Sequence, residues 1–169
     1  MKAGILAATA MVASALIAQT KAETLIAVTS SAFESGSMIP VRFTCKGENE
    51  SPPLAFKGIP AGAKSLVLII DDPDAPGGVF SHWLVWNIDP SVKQIPLNTV
   101  PVGAAQGQND FGKPGYGGPC PPSLHRYFFR IFALDKKLDL KSGAKRSALD
   151  GAMAGHVIGR GELTARFGR

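Results

Sequence analysis

Ser65-Leu66-Val67-Leu68-Ile69-Ile70, running into Asp71-Asp72-Pro73, decides how this chain folds. A continuous apolar run closed on one side by Lys64 and on the other by Asp-Asp-Pro describes a strand covered on both faces. Two further runs have the same character. His82-Trp83-Leu84-Val85-Trp86-Asn87-Ile88 ends at Asp89-Pro90, and His125-Arg126-Tyr127-Phe128-Phe129-Arg130-Ile131-Phe132-Ala133-Leu134 is long and aromatic. Leu25–Val28 and Gly161–Phe167 are weaker strand candidates near the ends. With 13 Pro and 19 Gly punctuating short apolar runs, the pattern is that of a mainly β protein. One helix is expected, from Lys145 to about Gly155, where Leu149, Met153 and Val157 recur every four residues and form one apolar stripe. The expected architecture is a β-sandwich or barrel-like core with a late helical appendage.

Side chains alternate across a strand with period two. Asp72 therefore continues the row Leu66, Leu68, Ile70. By the same count His82 is placed with Leu84, Trp86 and Ile88, and His125 with Tyr127, Phe129 and Ile131. Each of the three strands thus carries one titratable group at its end. If the ends lie side by side, Asp72, His82 and His125 line one mouth. The loop after Asp72, Pro73-Asp74-Ala75-Pro76, is stiffened by two prolines of fixed φ. Gly115-Tyr116-Gly117-Gly118-Pro119-Cys120-Pro121-Pro122 precedes His125 and forms a Gly-rich wall whose backbone can approach a ligand closely. Such a wall beside two imidazoles suits phosphate or carboxylate, with an aspartate to orient one ring. Each piece alone reads as ordinary turn or loop chemistry; the site rests on their co-occurrence.

The N-terminus speaks to compartment. Lys2, the uncharged apolar stretch Ala3–Ala18, and the polar exit Gln19-Thr20-Lys21-Ala22 have the three-part layout of a secretory signal peptide. Cleavage is expected after Ala22, leaving residues 23–169 as a single domain in the periplasm or outside the cell, with no transmembrane anchor. An uncleaved anchor is the alternative. The full chain has 18 basic and 13 acidic side chains, net +5; losing Lys2 and Lys21 lowers this to +3. No Lys/Arg run marks a nucleic-acid surface. Cys45 and Cys120 are the only cysteines, and in an exported protein an even count invites a disulfide. Two buried thiols packed as small apolar groups are the other reading.

Taken together, Asp72-Pro73-Asp74-Ala75-Pro76, His82 through Ile88, Tyr116-Gly117-Gly118-Pro119-Cys120-Pro121-Pro122 and His125-Arg126-Tyr127 resemble the two signature regions of the phosphatidylethanolamine-binding proteins, in their bacterial Raf-kinase-inhibitor-like branch. Phe43–Asn49 running into Ser51–Leu54, Asp110–Tyr116 and Gly155–Leu163 extend the likeness over roughly the whole chain after the leader. The resemblance implies a large antiparallel sheet packed on a smaller one, with an anion pocket at one edge. Carried over residue by residue, that pocket involves Asp72, Pro76, His82, Gly118, Cys120, His125 and Tyr127. Asp74 belongs to the motif without needing to touch the ligand. The loop between Pro76 and His82 is short, leaving Phe80 to cover an edge where other members carry a tyrosine. Ser123 and Leu124 alone separate Pro122 from His125.

The expected function is binding of a small phosphate-like or phospholipid head-group-like anion, with no cofactor and no metal. An inhibitory role toward a kinase or protease is the alternative, its protein partner unspecified. A hydrolase built on His82 and Asp72 ranks lower. Ser81 falls on the opposite strand face, and neither a Gly-x-Ser-x-Gly elbow nor a His-Glu-x-x-His helix is present.

Overall fold

The computed structural model describes residues 23–169; the leader and its cleavage after Ala22 lie outside the described residues. Strand β4 (Ser65–Asp72) is the centre of the fold and is buried along its whole length. Each of its five consecutive aliphatic side chains contributes roughly 1.5–3 kcal/mol on leaving water. It pairs antiparallel with β5 (Phe80–Ile88) on one side and with β8 (His125–Leu134) on the other. Beyond β8 lie β9 (Val157–Phe167) and the two-residue β1 (Thr24–Leu25); beyond β5 lies β7 (Ala105–Gln106). The six-stranded sheet is antiparallel except at its edge, where β1 runs parallel to β9, so it is mixed rather than wholly antiparallel.

A second sheet of three strands, β2 (Ala27–Thr29), β3 (Leu54–Lys57) and β6 (Gln94–Ile95), packs over one face of the first. Val28, Leu54, Phe56 and Ile95 from the small sheet join Leu66, Leu68, Ile70, Tyr127, Phe129 and Ile131 from the large one in the main core. The one α-helix among the described residues, α1 (Arg146–Met153), covers the other face, where Leu149 and Met153 meet Val67, Ile69, Leu84 and Trp86. Val157, expected to extend the helical stripe, instead opens β9. No helix among the described residues is long and apolar enough to cross a membrane.

Cys45 and Cys120 form a disulfide, with Cα atoms 5.4 Å apart. The bridge ties the segment after a short 3-10 turn (Val41–Phe43) to the Gly-Pro loop ahead of β8. The Cys45 N–H donates to the Pro119 carbonyl at 3.1 Å beside it.

One face assignment from strict alternation is corrected. Leu84 and Trp86 belong to the helix-side cluster, whereas Trp83, Val85 and Ile88 face the main core. The reason is two irregularities in the β4–β5 pairing. Ile70 pairs with Trp83 but Asp71 pairs with Ser81, which makes His82 an extra residue in a bulge. Leu68 pairs with Val85 but Leu66 with Ile88, and the additional residue there is taken up near Asn87, at φ 57°. His82 and Trp83 consequently share the core side, and the second irregularity returns Ile88 to it.

Candidate anion site at the end of the central strands

Because β4 is antiparallel to both neighbours, its last residue meets the first residues of β5 and β8. Asp72, His82 and His125 therefore converge at one end of the sheet, all three nearly inaccessible to solvent. They surround a cavity of about 130 Å³, lined also by Ala75, Pro76, Phe80, Phe111, Cys120, Pro121, Pro122 and Tyr127. Most of this lining is apolar, so the few polar groups act in a poorly hydrated setting.

Asp72, His82 and His125 are each held from behind. Asp72 Oδ1 accepts the Asp74 N–H at 2.8 Å, and Asp72 Oδ2 accepts from His125 Nδ1 at 2.7 Å. Asp74 points away from the cavity into a bidentate pair with Arg126, at 2.6 and 2.9 Å, and also accepts the Arg126 N–H. The guanidinium holds the Asp74 carboxyl far below the usual carboxylate range. His82 Nδ1 donates to the Gly117 carbonyl at 2.6 Å, while the Gly117 N–H donates back to the His82 carbonyl at 3.0 Å. Burial pushes the His82 pKa down. Tyr127 is wholly buried, and its hydroxyl has no hydrogen-bond partner among the described residues. Burial and the adjacent Asp72 carboxylate raise its pKa, which keeps the hydroxyl protonated and able to donate.

Of the seven residues expected at the site, Asp72, Pro76, His82, Cys120, His125 and Tyr127 line the cavity, and Gly118 does not. Gly118 lies behind the disulfide in a neighbouring hollow with Asn49, Lys113 and Tyr116. Its N–H donates to Asn49 Oδ1 at 2.7 Å and is not offered to a ligand. Its lack of a side chain has a packing cause: a Cβ there would lie 2.6 Å from Asn49 Oδ1 and from the Phe43 carbonyl. Phe80 covers the rim as expected. Phe111 was not singled out, although it closes the same rim, edge-on to Phe80 and to His82. Its loop is stapled by Asn109, whose Oδ1 accepts from the N–H groups of Phe111 and Lys113. Among the described residues, no cluster of three or more His, Cys, Asp or Glu is arranged to hold a metal ion.

The family model described as phosphatidylethanolamine-binding protein matches residues 29–168, from the last residue of β2 to just past the end of β9. The chain belongs to the phosphatidylethanolamine-binding protein family. A UPF0098 protein of Methanothermobacter thermautotrophicus is 50% identical over 144 residues, covering 82% of this chain and 95% of its own. Another, from Chlamydia trachomatis, is 42% identical over 146 residues, covering 83% and 97%. Among solved structures, a phosphatidylethanolamine-binding protein homologue from C. trachomatis superposes with a TM-score of 0.82 at 40% identity, over 86% of this chain and 98% of that one. Escherichia coli YbcL, described as a member of the mammalian family, superposes at 0.80 and 33% identity, over 88% and 99%. This family member thus shares its two-sheet frame with bacterial relatives along nearly their full lengths.

Proposed function

We propose that this protein is an exported binding module that holds a small oxyanion, free phosphate or a phosphoethanolamine-like head group, in the cavity between Asp72, His82, His125 and Tyr127. The observation that carries this reading is the set of groups left without protein partners there. Both imidazoles are held through Nδ1, so Nε2 of each is left toward the cavity, and the buried Tyr127 hydroxyl beside them has no partner among the described residues. A buried polar group without a partner costs about 1–3 kcal/mol, which an anion's oxygens would offset. The cavity is small against the roughly 300–1,000 Å³ of sites that enclose drug-sized ligands, which favours a head group over a whole lipid.

Turnover is disfavoured by the state of the nearby nucleophiles. Ser81 Oγ lies on the opposite face, 3.3 Å from Asp71, and Cys120 is committed to the disulfide. Export is supported by the layout of residues 1–22 and by the disulfide, which persists in oxidising compartments. N-terminal sequencing of protein recovered outside the cytoplasm should begin at Glu23.

An NMR titration with phosphoethanolamine tests the site. Saturable shifts confined to residues 72–82 and 115–127 support it; a well-folded sample that shows none sinks it. A second reading, docking of a protein such as a kinase or protease, is favoured by the apolar rim. Phe111 and the chain neighbours of two lining residues, Val79 and Leu124, are exposed. Crosslinking in the secreted or periplasmic fraction checks that reading, with Phe111→Ser expected to reduce any adduct.

A further inference from the structure

The His82–Gly117 contact fixes more than the orientation of a ring. A carbonyl oxygen can only accept, so the hydrogen between His82 Nδ1 and the Gly117 oxygen belongs to Nδ1. In a neutral ring Nε2 is then a lone pair. An incoming anion would meet that lone pair with oxygens that are themselves acceptors, and the two repel. Protonation of Nε2 removes the conflict but charges the ring. His82 has no carboxylate in hydrogen-bond contact to balance that charge, only the uncharged Gly117 carbonyl. His125 differs here, because its Nδ1 already meets the Asp72 carboxylate.

The other groups around His82 do not supply the missing counter-charge. Asp72 on β4 is engaged by His125 and by the Asp74 N–H. Asp110, in the loop after β7, accepts the Ser81 N–H. Asp71 lies on the far face between Arg130 and Arg146, and Asp74 is paired with Arg126. Tyr127 of β8, with Phe80 and Phe111, presents ring edges and faces. Burial outweighs the pull of the Asp72, Asp71 and Asp110 carboxylates and favours the neutral ring in the empty pocket.

We infer that the pocket takes up its anion together with one proton, held between His82 Nε2 and an oxygen of the ligand. This rests on the anion-site reading above and narrows its ligand class. A phosphomonoester, whose second ionisation lies near pH 6, can bring the proton itself. Sulfate or a phosphodiester carries none near neutral pH, so His82 must draw it from solvent. The site should therefore suit phosphomonoesters best where their monoanion is abundant.

Inorganic sulfate makes the clean probe, because any proton taken up with it must reside on the protein. Calorimetric titration of the protein between about pH 6.5 and 8.5 should show sulfate affinity falling about tenfold per pH unit. In His82→Gln the side-chain amide offers an N–H at any pH, and the dependence should vanish. Independently of that variant's folding, the His82 Nε2 nitrogen resonance should change from unprotonated to protonated as sulfate saturates the wild-type protein at neutral pH. A flat wild-type affinity profile, or Nε2 unprotonated in the saturated complex, overturns the inference while leaving the anion site standing. A slope that survives in His82→Gln puts the proton elsewhere and overturns the assignment to His82. Failure to bind either sulfate or phosphoethanolamine at any pH overturns the anion site and this inference together.

Discussion

His125 Nδ1 lies 2.7 Å from Asp72 Oδ2 at the point where β4 ends beside the start of β8, and both side chains are over nine-tenths buried. The contact joins two strands through a buried carboxylate and a buried imidazole on the core side of that end. It also explains why a carboxylate is tolerated in a largely apolar cavity.

Truncating one partner tests how far the pair supports the fold. His125→Ala removes the imidazole partner of the buried Asp72 and leaves it the Asp74 N–H as a donor. Urea unfolding near neutral pH should show a loss of roughly 2–4 kcal/mol, in the range for uncompensated buried polar and charged groups. Phosphoethanolamine binding should weaken at least tenfold. A change below about 0.5 kcal/mol, typical of surface substitutions, would mean that water replaces the imidazole freely.

Asp71, one residue earlier, faces the other side of the sheet and is fully buried between Arg130 at 3.0 Å and Arg146 at 2.5 Å. Arg146 belongs to α1, so this carboxylate fastens the helix to the sheet. Asp71→Ala should cost about 1–3 kcal/mol in urea unfolding, because Arg130 and Arg146 lose their buried carboxylate while each keeps a more exposed one, Glu162 and Asp150. Phosphoethanolamine affinity should stay within about twofold of wild type. A large loss of binding without loss of stability would contradict this division between the two faces.

Stability should depend on pH through His82. Its pKa in the folded protein is depressed by burial, against about 6.5 in the unfolded chain. Between those values the unfolded chain binds the extra proton, so stability rises with pH there. The contribution is whole above about pH 6.5 and is lost as the pH falls through the window below it. Urea midpoints measured stepwise from neutral to mildly acidic pH should fall, with a smaller fall in His82→Gln. Identical profiles for the two proteins would remove His82 as the cause.

The disulfide closes a separation of 75 residues and anchors one wall of the cavity. Reduction should lower stability by about 2–4 kcal/mol, on the order of 10 °C in melting temperature for a domain of this size. It should also broaden the amide resonances of residues 115–122. Melting curves with and without reductant provide the check, and coincident curves would show that the bridge constrains little.

Much of the fold could be read directly. The ends of β8 coincide with the run His125–Leu134, and the apolar core of β4 is the run Leu66–Ile70. In both cases apolar continuity and Asp/Pro punctuation are local properties of the chain. The short strands β6 and β7 had no such pattern, because two residues are too few to show a period; their partners define them. The Leu25–Val28 segment divides into β1 and β2, which join different sheets, and Ile26 sits between them with its N–H donating to the Arg160 carbonyl. The role of Asn49 in fixing Gly118 was equally hidden, since 69 residues separate them.

By itself the sequence determined a mainly β protein of this family, with Asp72 and His125 aligned on one face of their strands. Alternation and apolar burial are properties of each strand alone, which is why those placements could be read. Strict alternation, however, would carry His82 with Leu84 and Trp86 to the helix side, away from Asp72. Only the tertiary structure decided otherwise. The extra residue in β5 exists relative to Ile70 and Asp71 of β4, and a bulge is a property of the pairing between two strands. The same holds for the mixed sheet edge, the meeting of Cys45 with Cys120, and the exclusion of Gly118 from the cavity: each depends on which distant segment arrives alongside.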